Sequence, residues 1–220
     1  MRRRVSAPRG SWPGWNDEHA RAPVLTLLLV RHASHGLLGR VLAGRMPGVD
    51  LSEAGWAEAT RLAEGLAGRG IRRVLSSPLQ RTRATAGLVA SRAGCSVEIA
   101  DEINEIDCGA WTGATFDALA ADPRREAWNA SRSTAPTPGG ESMAAVQLRA
   151  MGLVGRLADR DDDATVALVS HADVIKGIVC AVLGLSLDRH DHLAVDPASV
   201  TTLHVWRDYA RLVRLNEALP

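Results

Sequence analysis

His32 follows Arg31 at the end of one aliphatic run, and His171 closes another. Between them in the chain lie Arg81 and Glu105. Two guanidiniums and two imidazoles together suit a dianion, because Arg grips phosphate oxygens through paired, charge-assisted hydrogen bonds. A neutral imidazole is also a nucleophile that forms covalent intermediates. A carboxyl group near its own protonation range can give a proton to a leaving alkoxide and then take one from water. Phosphoryl transfer asks chiefly for positioning and charge stabilisation, which such groups supply. The chain has no Gly-rich loop ending in Lys, which excludes a nucleoside-triphosphate site of that kind.

These residues must be carried to one place by their elements. Residues 24–30 form a continuous apolar run, the pattern of a strand buried on both faces. A helix follows, with Ser52 as its N-cap and Trp56, Ala59, Leu62, Ala63 and Leu66 at helical spacing. “IRRVLSS” reads as a second strand. Pro78 then reads as the first residue of a helix that Gly94 closes. “SVEIA” is a third strand, before a polar loop from Asp101 to about Thr112. The stretch from Gly113 to Gly140 is irregular, with room for short helices at “FDALAAD” and “RREAWNA”. A long helix carries Met143, Val146, Ala150, Leu153, Val154 and Leu157 as its buried stripe. “DDD” at 161–163 is a solvated turn, “ATVALVSH” a fourth strand and “DVIKGIVCAVLGL” its helix. Two strands around Asp208 end the chain.

Alternation of this kind predicts an α/β fold, a three-layer α/β/α sandwich with a mostly parallel central sheet. Ligands bind such sheets at the carboxyl ends of the strands. Arg31 and His32 end strand one, Ser76, Ser77 and Arg81 follow strand two, Glu105 follows strand three, and His171 ends strand four. Four separate segments therefore aim polar groups at one edge of one sheet.

Length and composition fit one main domain over 23–220, preceded by an Arg-, Pro- and Gly-rich arm over 1–22 that is expected to be disordered. A formal net charge of +1 gives no global field toward nucleic acid or membrane. The apolar run near the start is too short to span a bilayer. Cys95, Cys108 and Cys180 match no metal spacing, and their odd number, with no export signal read, suggests reduced thiols in a cytoplasm. “RHDH” at 189–192 reads as a polar loop rather than a metal site, and Trp111 and Trp128 as packing or lid residues.

“LLVRHA”, “SSPLQRTRATA”, “EINEIDCGAWTG” and “LVSHADVIKGIV” resemble, in order, the signatures of the histidine phosphatase superfamily, also called phosphoglycerate mutase-like. The similarity spans roughly Thr26 to Asn216 and points to the small bacterial phosphatases. It implies that His32 becomes phosphohistidine, that Arg31, Arg81 and His171 cradle the transferred group, and that Glu105 is the general acid. It implies a small-molecule phosphate ester as substrate, no cofactor and no metal, and it allows for a homodimer. Hydrolysis leads over two alternatives: a phosphomutase on the same fold, and a non-catalytic phosphate-binding regulatory protein. The chain departs from the pattern at Ala33 and Ala172, where the family usually has Gly. His35 replaces a customary Thr, and Leu37–Leu38 a customary Asn, so His35 and Arg40 are the expected substitutes at the phosphate.

Overall fold

The computed structural model describes residues 24–160 and 163–220; the expected arm at 1–22 and the first two residues of the Asp turn lie outside them. The strands are β1 (Leu25–Arg31), β2 (Ile71–Ser76), β3 (Val97–Ile99), β4 (Thr165–Ser170), β5 (Val200–Val205) and β6 (Ala210–Glu217). The helices are α1 (Glu53–Gly65), α2 (Gln80–Ala93), α3 (Phe116–Ala120), α4 (Pro123–Ala130), α5 (Met143–Arg160) and α6 (Ala172–Leu183). The sheet order is β3-β2-β4-β1-β5-β6. Its first four strands run parallel, and β5 and β6 are antiparallel additions.

Successive residues of a strand face opposite sides, and β1 uses this to build two cores. Leu25, Leu27 and Leu29 pack with Met143, Val146 and Leu153 of α5 and Ile175 and Ile178 of α6. Leu28 and Val30 pack with Leu62 and Ala63 of α1 and Ala86 and Val89 of α2. Helices thus cover both faces, which makes the expected three layers.

Ser52 caps α1 by accepting from the Gly55 N–H at 3.1 Å. Gly94 closes α2 in the left-handed region (φ 72°), where a Cβ would be strained. Two expectations need correction. Pro78 is not the first residue of α2: Leu79 caps the helix in an extended conformation, so helical geometry begins at Gln80. Ser77 follows the strand and its N–H still donates to the Val169 carbonyl, and Pro78–Leu79 make the turn. Trp56 is not part of the buried stripe; it is 43% exposed, because α1 turns Gly55, Ala59, Leu62 and Ala63 toward the sheet.

Candidate active site

Parallel register sets the site. β1 and β4 pair with Arg31 opposite Ser170, and the His32 N–H donates to the Ser170 carbonyl at 3.0 Å. The next residue of each strand is therefore a histidine, and the His32 and His171 rings lie 5.2 Å apart, edge to face. On the other side of β4, Ser77 follows β2, and its hydroxyl lies 2.8 Å from His171 Nε2. Both histidines are buried.

Hydrogen bonds fix the tautomer of His32. Its Nδ1 lies 2.8 Å from the Ala33 carbonyl, which can only accept, so Nδ1 carries the proton. The lone pair is then on Nε2, toward which Arg81 Nε points at 3.3 Å. Burial, the Arg81 charge and, more weakly, Arg31 and His35 hold the His32 pKa well below the ordinary imidazole range, so the ring is neutral at pH 7. Ala33 keeps the carbonyl that a Gly would offer. Its φ is not among the positive values, and its methyl is buried beside Leu51 and Ala59.

Arg81, in the first turn of α2, is 1% exposed. It donates to the Gly44 carbonyl at 2.8 Å and lies 3.3 Å from His171 Nδ1. Arg31 donates to the Val195 carbonyl at 2.6 Å. Arg81 NH1 and Arg31 Nε are buried with no partner among the described residues. Burial lowers the pKa of both guanidiniums, yet Arg stays charged in proteins. An unmade charged hydrogen bond is costly in a buried place, so these N–H groups mark where an anion is most strongly attracted.

Glu105 closes the constellation. Burial, reinforced by the charge of Asp173, pushes its carboxyl up to about 7 against the opposing pull of Arg81. Its Oε2 lies 3.5 Å from His171 Nδ1. Burial, with the Arg81 charge, holds the His171 pKa well below the ordinary imidazole range, so the ring is neutral and this contact is not an ion pair. The loop carrying Glu105 is tied down from three sides. Arg45 and Arg149 donate to its carbonyl at 2.8 and 3.1 Å, Ser170 holds the Ile103 carbonyl at 2.7 Å, and Glu141 accepts from the Asp107 N–H at 3.0 Å. Glu141 also binds Arg45 and Arg149, which makes it a tether of the loop; it lies before α5, not within it.

His35 is buried with its ring 5.5 Å from that of His32. Its Nδ1 accepts from the Leu37 N–H, which leaves the proton on Nε2 as a donor, and burial lowers its pKa to about 4. Arg40 is exposed on the same loop and donates to the Gly36 carbonyl, away from the contacts that join the other residues. The “RHDH” stretch is a turn of 3-10 helix whose His190 is buried between Arg132 at 2.5 Å and Asp173 at 3.7 Å. No group that could hold a metal occurs among the described residues. Burial raises the Cys108 thiol pKa, so it offers no competing nucleophile. Asp173 was missed by the sequence reading, although it sits in the first helical turn after His171, the same sheet edge that located the others. Glu141 reads from sequence as a helix-start carboxylate or a substrate contact; its partners Arg45 and Arg149 make it a tether instead.

Comparison with known proteins agrees with this geometry. The profile of the histidine phosphatase superfamily, branch 1, matches residues 27–218. A bifunctional protein of Mycobacterium tuberculosis is 38% identical over 92% of this chain, which spans only 56% of that protein's length. Phosphoserine phosphatase 1 of Hydrogenobacter thermophilus is 33% identical over 88% of this chain and 92% of its own. The complex of a mycobacterial glucosyl-3-phosphoglycerate phosphatase with inorganic phosphate superposes with a TM-score of 0.78 at 29% identity, covering 88% of this chain and 97% of that one. With the profile spanning β1 to β6 and the paired histidines on adjoining strand ends, this chain belongs to the histidine phosphatase superfamily.

Proposed function

We propose that this chain is a phosphomonoesterase that hydrolyses a small phosphate ester through phosphohistidine on His32, without a metal or cofactor. The observation that carries the reading is the lone pair of His32 Nε2 in a cluster with two guanidinium N–H groups that have no partner among the described residues and a carboxyl poised near pH 7. Arg31, Arg81 and His171 take the phosphoryl oxygens, with His35 Nε2–H as a further donor. Arg40 joins them only by releasing Gly36. In the first step Nε2 attacks phosphorus, the ester P–O bond breaks and protonated Glu105 gives its proton to the leaving alkoxide. In the second, Glu105 takes a proton from water as the water oxygen attacks phosphorus. The P–N bond breaks and its electron pair returns to His32. The guanidiniums spread the developing charge.

The names of the relatives support the reaction class: one is a phosphoserine phosphatase, and another is a phosphatase solved with inorganic phosphate. Phosphate release from a broad panel of esters, with EDTA present, tests the reading. His32→Ala is expected to abolish release while far-UV circular dichroism stays unchanged. Turnover at the wild-type rate in that variant overturns the assignment. Isomer formation without phosphate release identifies a mutase instead.

A further inference from the structure

We propose that the cavity beside Glu105 receives the leaving alcohol and selects a neutral aromatic body. This rests on the phosphatase reading, in which Glu105 protonates the leaving oxygen, so the alcohol's carbon skeleton must lie on the Glu105 side. A cavity of about 220 Å³ begins at Ile106, the residue after Glu105. Ile106 and Cys108, just beyond Glu105 in the chain, line it, and so does Asp173, whose charge acts on Glu105.

Its far walls are aromatic. The Trp111 and Trp128 rings meet edge to face with centroids 5.7 Å apart, and Phe116 of α3 contributes a third ring. The Arg132 guanidinium lies 4.2 Å from the Trp128 ring centroid. Its nitrogens are committed: NH2 and Nε to Asn129 and NH1 to His190, at 2.6, 3.2 and 2.5 Å. Arg132 therefore presents a flat cationic face, suited to stacking on a ring, and not an open fork for a second anion. Arg125 also lines the cavity, over the Phe116 ring at 6.0 Å, and the Asp173 carboxylate on the same lining offsets its pull on an anion. A cavity of about 150 Å³ holds a benzene ring, so one ring system fits. A polyhydroxylated body would be stripped of water against walls that return few hydrogen bonds. The Trp128 indole N–H is buried without a partner among the described residues and would favour a ring bearing an acceptor atom.

The test compares kcat/KM for benzyl phosphate with that for O-phosphoserine and glycerol 3-phosphate. The wild-type protein is expected to favour benzyl phosphate by about tenfold or more, the size of discrimination that an apolar pocket gives. Trp128→Ala is expected to lower the ratio by about tenfold, and Trp128→Phe to restore most of it because a ring remains. Phe116→Ala probes the same wall should Trp128→Ala fail to fold. Equal or better turnover of the polar esters overturns this proposal and leaves the phosphatase reading standing. A benzyl preference that survives both alanine variants also overturns it, since the selectivity then lies elsewhere. Hydrolysis of no ester removes the phosphatase reading, and this one with it.

Discussion

Glu105 is the residue at which environment and chemistry meet. Burial raises its pKa first, Asp173 adds to this, and Arg81 and Arg31 oppose it, leaving the group near 7. The phosphorylation step needs it protonated, so kcat/KM is expected to fall as pH rises through about 7. Asp173→Asn removes a charge that raises the pKa, so the alkaline limb of the profile should move to lower pH. A limb that stays in place counts against the coupling. The same shift has a sign for stability. The folded pKa lies above the ordinary carboxyl value, so the folded state binds the proton more tightly, and its stability falls as pH rises from about 4.5 to about 7. Glu105→Gln should therefore melt above the wild type at pH 8, with the gap closing near pH 4, while losing turnover. Thermal denaturation at the two pH values checks this.

At the scale of elements, the start of α1 holds the backbone just after His32. The Ser34 carbonyl accepts from the Ser52 N–H at 3.0 Å, and Ser34 N–H and Oγ donate to Glu58 at 2.9 and 3.0 Å. Gly55 permits this approach: a Cβ there would lie 1.9 Å from the Ser34 oxygen. Gly55→Ala is expected to cost about 1–3 kcal/mol, the usual penalty of overpacking, and to lower kcat by displacing the Ala33 carbonyl that orients His32. Urea denaturation and kinetics on one preparation measure both. On the opposite side, Glu141→Ala removes the carboxylate that Arg45, Arg149 and the Asp107 N–H share. Loss of those charged hydrogen bonds should cost about 1–3 kcal/mol and lower kcat more than it changes KM, because the Glu105 loop loses its tether.

For the whole molecule, the site is a concentration of buried guanidinium charge held in place by the fold, with carboxylates offsetting part of it. Arg31 lowers the proton affinity of Arg81, both lower that of His32, and each keeps a buried donor unpaired among the described residues. An anion that binds only the folded state shifts the unfolding equilibrium by about 2.7 kcal/mol at a hundred times its Kd. Inorganic phosphate is expected to raise the melting temperature of the wild type, and to do so less for Arg81→Ala. Equal shifts in the two would place the anion elsewhere.

The periodicity of apolar residues was sufficient for the strands, the long helices and the layer order, because each face of a buried sheet imposes its own spacing on the chain. Strand ends were legible for the same reason: polarity appears where burial stops, and that placed His32, Arg81, Glu105 and His171 at one edge. The distances between them were not legible. They depend on Arg31 pairing opposite Ser170, and a register between strands about 140 residues apart is set by the packing of both cores. The tautomer of His32, the raised pKa of Glu105 and the tether at Glu141 likewise come from contacts between remote segments. Residue type states what a side chain is able to do. Only the tertiary structure decides which proton it holds, because that follows from burial and from charges the local sequence does not contain.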